Sequence, residues 1–140
     1  MKLQQVRDGY YVILERGDKL IETLTKVARE KEIPSAVVTG LGAVTGSSLG
    51  YYELEKKEYI RKEFPEELEV AGLNGNITWF EGNPVPHIHV VLSDHHFHAF
   101  GGHLFETHCA ATVELFLRVE DVRVERKYNC DIGLNLQGFE

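Results

Sequence analysis

The sequence predicts an α+β domain, a mostly antiparallel β-sheet carrying one main amphipathic helix. Three observations lead there. Only one segment has helical periodicity. Eight or nine short segments are rich in β-branched and aromatic residues. No repeat, low-complexity tract or linker divides the 140 residues, a length expected of one domain spanning 1–140.

Gly9–Leu14 (GYYVIL) has strand composition. Gly17-Asp18 marks a turn, with Asp18 as candidate N-cap. Leu20, Ile21, Leu24, Val27 and Ala28 follow at helical spacing, and Lys19, Glu22, Lys26 and Arg29 lie off that stripe. Glu30-Lys31-Glu32 closes the helix, because Pro34 cannot continue it. Ala36–Thr39 then reads as a strand, entering the glycine-rich stretch Gly40–Gly46, expected to be a turn or pocket wall. A dinucleotide fingerprint is rejected there, since the third glycine is misplaced and no helix follows. Ser47–Tyr52, Tyr59–Phe64, Leu68–Leu73 and Asn76–Phe80 are further strands, with Asn74-Gly75 a tight turn or a bulge in one long strand. His87–Leu92 and Phe97–Leu104 read as a hairpin. Ala111–Val119 and Val122–Tyr128 follow, and the tail Asn129–Glu140 is mixed.

The net charge is −7, and the basic residues are diluted among acids, which argues against broad nucleic-acid binding. Two cysteines, Cys109 and Cys130, fit a reducing compartment better than a secreted scaffold. No stretch is long and apolar enough to span a bilayer, and the N-terminus lacks a signal-peptide pattern. The expectation is a cytoplasmic protein without a membrane partner.

All seven histidines lie between residues 87 and 108. In His87-Ile88-His89 the two imidazoles share one strand face, while Ile88, Val90 and Leu92 share the other, suited to a core. With a hairpin turn of Asp94, His95 and His96, His103 falls opposite His87 and Gly101 opposite His89, leaving space for an ion or small ligand. Phe100 then faces Val90. Three imidazoles at one point suit zinc or another divalent transition metal, with a fourth position open. Glu69 and Glu114 are candidate bases beside such an ion, and Gly101 a candidate pocket residue. His95, His96 and His98 read as surface residues at the turn. Cys109 reads as a small buried hydrophobe within the core face Cys109, Ala111, Val113, Leu115 and Leu117.

These segments carry a resemblance. Pro86-His87-Ile88-His89 followed by Gly101-Gly102-His103-Leu104, with Thr39–Val44 and Glu67–Gly75, resembles the plants-and-prokaryotes-conserved (PPC) domain over nearly the whole chain. The segment Glu67–Gly75 is similar to the plant motif G-R-F-E-I-L-S-L-S-G, but has Glu67 and Leu68 where that motif has Arg and Phe. The resemblance implies an antiparallel α/β domain, a homotrimer, zinc on His87, His89 and His103, and a DNA-binding label carried by analogy. The chain has no Arg-Gly-Arg-Pro core for the minor groove, and its charge does not support DNA as a partner.

Three functions stay open at this point. One is a trimeric metal- and ligand-binding module with a regulatory role, its association burying aromatics such as Tyr51, Tyr52 and Phe80. Another is a zinc-dependent enzyme acting on a small molecule through three histidines. The last is a DNA-binding protein.

Overall fold

The computed structural model describes residues 1–138. In chain order the elements are β1 (Lys2–Val6), β2 (Gly9–Glu15), α1 (Leu20–Glu30), β3 (Ser35–Glu53), β4 (Glu58–Phe80), β5 (Asn83–Ser93), β6 (Ala99–Glu120), β7 (Glu125–Asn129) and β8 (Leu134–Gly138). The sheet runs β1-β2-β6-β3-β4-β7-β8, and β5 pairs with both β4 and β6. Strands β3, β4, β5 and β6 therefore close into a ring. Every pairing is antiparallel except a single parallel bridge between Trp79 of β4 and Glu125 of β7. The expected class, a mostly antiparallel sheet with one helix, is what the chain adopts.

Helix α1 buries Leu20, Leu24, Val27 and Ala28 against β5 and β6. Its start differs from expectation. Lys19, not Asp18, occupies the N-cap position and makes no side-chain cap bond. The Asp18 carboxylate instead accepts the Glu15 N–H (2.9 Å) and pairs with the Met1 amine (2.8 Å). The free N–H groups of Ile21 and Glu22 donate to Glu106 of β6, at 2.8 and 3.1 Å. A carboxylate is well placed at the positive end of a helix. The cap is thus supplied by a residue far along the chain. Just past the helix, the Trp79 indole donates to the Ile33 carbonyl at 2.9 Å. The Arg123 guanidinium stacks over the same indole, 4.0 Å from its centroid.

Several strands are longer than the sequence pattern implies, although their number, eight among the described residues, is as expected. Ala36–Thr39 and Ser47–Tyr52 belong to one strand, β3. Gly40–Gly46 is neither turn nor break but runs within it, with register shifts between Gly40 and Gly42 and between Thr45 and Ser47. Gly42 has φ 146°, and a Cβ there would lie 2.3 Å from the Thr112 carbonyl oxygen. Its glycine permits a close approach to β6. Likewise Tyr59–Phe64, Leu68–Leu73 and Asn76–Phe80 form β4 without a turn. Gly75 sits in plain register opposite Ile88, where a Cβ would meet the His87 carbonyl oxygen at 2.2 Å. Phe97–Leu104 and Ala111–Val119 merge in β6, within which Cys109 is buried but Ala111 is exposed. The register between β6 and β3 shifts there, which breaks the simple alternation. Strand β1 carried no distinct pattern, and β8 lies within the mixed tail, whose residues 139–140 lie outside the described residues.

The core fills the ring and the space under α1. Val38, Ile77, Ile88, Leu115 and Leu117 are fully or almost fully buried. Ile88, Val90 and Leu92 point inward as their alternation requires, so the opposite face of β5 turns His87 and His89 outward from the core.

Candidate metal centre

The β5–β6 pairing decides which histidines meet. His89 stands opposite His103, Val91 opposite Gly101, and Leu92 opposite Phe100. The register expected from the sequence is thus offset by two: His103 faces His89, not His87, and Gly101 faces Val91. The loop is three residues long, but it consists of His95, His96 and Phe97, closed by Asp94 and His98. The Asp94 carboxylate accepts the N–H groups of His96 and His98, both at 2.9 Å, which moves the turn one residue onward. Phe97 takes the left-handed conformation (φ 65°) that ends such a loop. An offset of two preserves strand faces, so the three imidazoles still share one side.

Ring centroids lie 5.1 Å apart for His87–His89, 5.1 Å for His87–His103 and 5.6 Å for His89–His103. One nitrogen of each ring comes within 4.8 Å of the others. Tetrahedral bonds of 2.0–2.1 Å would place nitrogens about 3.3 Å apart, within reach of small side-chain rotations. The Nδ1 of His103 is buried and has no hydrogen-bond partner among the described residues. A buried ring nitrogen without a partner is uncommon and calls for an unseen one. The donor set and this atom both fit a transition-metal ion. Burial pushes the His103 pKa down to about 4, helped by His87 and His89 and then by Arg61 and Arg126. Burial, then Arg126, then His89 lower that of His87. Both rings are held neutral, the form that ligates metals.

Two neighbours went unmarked in the sequence. Tyr59 of β4 packs its ring 5.0 Å from His103. Arg126 of β7 donates from Nη2 to His87 Nδ1 at 3.3 Å and to Asn76 Oδ1 at 3.2 Å. Arginine has no acceptor, so Nδ1 of His87 carries no proton in this arrangement. A metal and Arg126 therefore compete for this nitrogen if the ion binds there. No spacing signal links Arg126 to residues some 40 positions earlier; only the attachment of β7 to β4 brings it in.

The other expected site residues lie elsewhere. Glu69 is exposed, pairs with Ser93 and lines a cavity at the Asp94–Phe97 hairpin end. Glu114 is exposed between Ile13 and Leu41. Gly101 lines an apolar hollow with Phe64, Phe100 and Tyr51. None of the three lines the cavity that opens against His87 and His103, which measures about 280 Å³. Phe80 does, while Tyr51 is exposed and the Tyr52 hydroxyl donates to the Ile132 carbonyl at 2.6 Å.

The chain closely matches solved structures. A protein from Ralstonia eutropha JMP134, described as a "putative DNA-binding protein", shares 30% identity, covering 99% of this chain and 96% of that one, with a TM-score of 0.93. A metal-containing protein from Archaeoglobus fulgidus shares 34% identity over 99% of this chain and all of that one, with a TM-score of 0.86. A plant- and prokaryote-conserved (PPC) protein from Pyrococcus horikoshii shares 28% identity over 99% and 94%, with a TM-score of 0.87. No curated protein matches the chain. The family profile matches residues 1–120, which hold all three histidines, so the chain belongs to the Plants and Prokaryotes Conserved (PCC) domain family.

Proposed function

We propose that this chain is a single-domain, self-associating module of the cytoplasm that binds a divalent transition metal, zinc first, on His87, His89 and His103, and that serves a regulatory role. One observation carries the reading: three imidazoles gathered on one face of the β5–β6 pair, one of them with a buried nitrogen that has no partner among the described residues. The metal-containing relative from Archaeoglobus fulgidus supports it. When bound, such an ion supplies Lewis acidity and a coordination position beyond the three rings. The chain's own part is to hold the His87 and His103 rings neutral, fix β5 against β6, and keep Ile88 and Val90 packed behind the three imidazoles. Elemental analysis of purified protein and of His89→Ala tests this. Equal metal content in the two would remove His89 as a ligand.

A largely apolar face, interrupted by Glu114 and Arg118, supports self-association, which we propose is a homotrimer. Val37 and Leu41 of β3, Phe116 of β6, and Tyr11 and Ile13 of β2 lie in adjacent rows on one side of the sheet, most of them exposed. Faces like this mark contact surfaces. Light scattering should give a mass three times that of one chain, and a monomer would end the proposal.

An enzymatic reading draws on the cavity against the histidines. It loses its expected bases, since Glu69 and Glu114 lie in other parts of the surface. DNA binding draws on the description of the Ralstonia relative and is opposed by the −7 charge. A low-salt mobility-shift assay decides it, since binding through phosphates would give retention that weakens steeply with salt.

A further inference from the structure

The cavity beside the histidines contains a cation that the fold leaves without a counter-ion. Arg126 is half-buried, and its partners are Thr78 Oγ1 (2.7 Å), the Asn135 carbonyl (2.8 Å), Asn76 Oδ1 and His87 Nδ1, all uncharged. Among the described residues no carboxylate pairs with it. Among the exposed arginines, Arg118 pairs with Glu120 at 2.9 Å and Arg123 with Glu125 at 2.6 Å, while Arg16, Arg29 and Arg61 lie in solvent, where no counter-ion is needed. Of the seven arginines, Arg126 alone is withdrawn from full exposure, so the lack weighs on it and not on those that water solvates. Withdrawing a guanidinium from water without an anion is costly, and a ligand that brings the missing charge recovers that cost.

The remaining walls define the rest of such a ligand. Phe80, Val85, Leu134 and Leu136 line the cavity with apolar surface, and Tyr59 and His103 close one side. Its volume of about 280 Å³ lies at the small end of ligand sites, so the occupant is compact. We propose that this cavity binds a small organic carboxylate, its charged end between Arg126 and the histidines and its apolar body against Phe80, Val85, Leu134 and Leu136. Four of the five Arg126 N–H groups are already used, and a carboxylate can accept the remaining one while neutralising the charge; the apolar walls disfavour inorganic phosphate, which would leave them unused. The inference deepens the metal-site reading, since an ion on the histidines would add positive charge at the same end, but the role of Arg126 stands without it.

The test titrates benzoate and its neutral analogue benzamide into the full chain, zinc-free and zinc-loaded, by calorimetry and chemical-shift mapping. Benzoate should bind at least about tenfold more tightly than benzamide, the size expected for one charge-assisted hydrogen bond. Arg126→Gln should reduce that preference to about twofold or less. Leu136→Trp, at the partly exposed rim, should block both compounds and serves as the second variant should Arg126→Gln not fold. Equal affinity for the two compounds, an unchanged preference in Arg126→Gln, unchanged binding in Leu136→Trp, or inorganic phosphate outcompeting benzoate would each overturn the proposal. If zinc fails to load while the Arg126-dependent preference persists, the metal reading falls and this one stands. If zinc loads but benzoate shows no preference, this one falls alone.

Discussion

His103 lies directly opposite His89 across the β5–β6 ladder, yet its own Nδ1 is buried with no partner among the described residues. Such an atom costs stability in the metal-free protein and yields it back on ligation. His103→Leu, of similar volume, removes the unpaired nitrogen. The metal-free variant should be as stable as the parent or up to about 1.5 kcal/mol more so. The stabilisation that zinc gives the parent should disappear. Urea unfolding with and without zinc checks both halves, and a variant stabilised by zinc as strongly as the parent would exclude His103 as a ligand.

Acid should weaken the metal-free protein. An unfolded histidine takes up its proton near pH 6.5, whereas folded His103 resists until about pH 4. Between those values the unfolded chain binds more protons, so stability falls as pH falls. The stability is intact above pH 6.5 and declines progressively toward pH 4. Because the ring is only partly buried, the loss attributable to it should be on the order of 1–2 kcal/mol. Denaturation midpoints across this range should show the decline, and His103→Leu should flatten it. Identical pH profiles for the two would contradict the burial argument.

Removing the carboxylate of Glu106 should free the α1 terminus. Glu106→Ala leaves the N–H groups of Ile21 and Glu22 without their acceptor, together with that of Thr107, which the same carboxylate accepts at 3.0 Å. A loss of about 1–2 kcal/mol is expected, and Glu106→Gln should lose less because one oxygen remains. Chemical denaturation measures it. An unchanged midpoint would show that water replaces the cap without cost.

Gly75→Ala should damage fold and site together. The added methyl would overlap the His87 carbonyl, so β4 and β5 must separate. A destabilisation of roughly 1–3 kcal/mol, with weaker zinc binding, follows from such overpacking. Metal titration and unfolding of the same sample test whether the two effects travel together.

The sequence made the helix and the histidine face legible because both depend on local periodicity. Leu20, Leu24, Val27 and Ala28 needed only 3.6-residue spacing, and His87 with His89 only the alternation of a strand. Register was harder. It turned on one carboxylate, Asp94, whose bonds to His96 and His98 displaced the loop by a residue. Strand ends were misplaced where glycines looked like punctuation. Gly42 and Gly75 are required by neighbouring backbones, and nothing local distinguishes that use from a turn. The cap by Glu106, the approach of Arg126 and the distance of Glu69 and Glu114 from the histidines are long-range outcomes. They follow from how the ring closes, which no window of sequence contains.

Trp79 is the only tryptophan, and it occupies the junction where the α1–β3 connection, β4 and the start of β7 meet, held by the Ile33 carbonyl and covered by Arg123. The strand that reaches this junction is also the one that delivers Arg126. Intrinsic emission therefore offers a label-free optical gauge of β7 docking: release of that strand would uncover the indole and shift its spectrum to the red, without any engineered fluorophore.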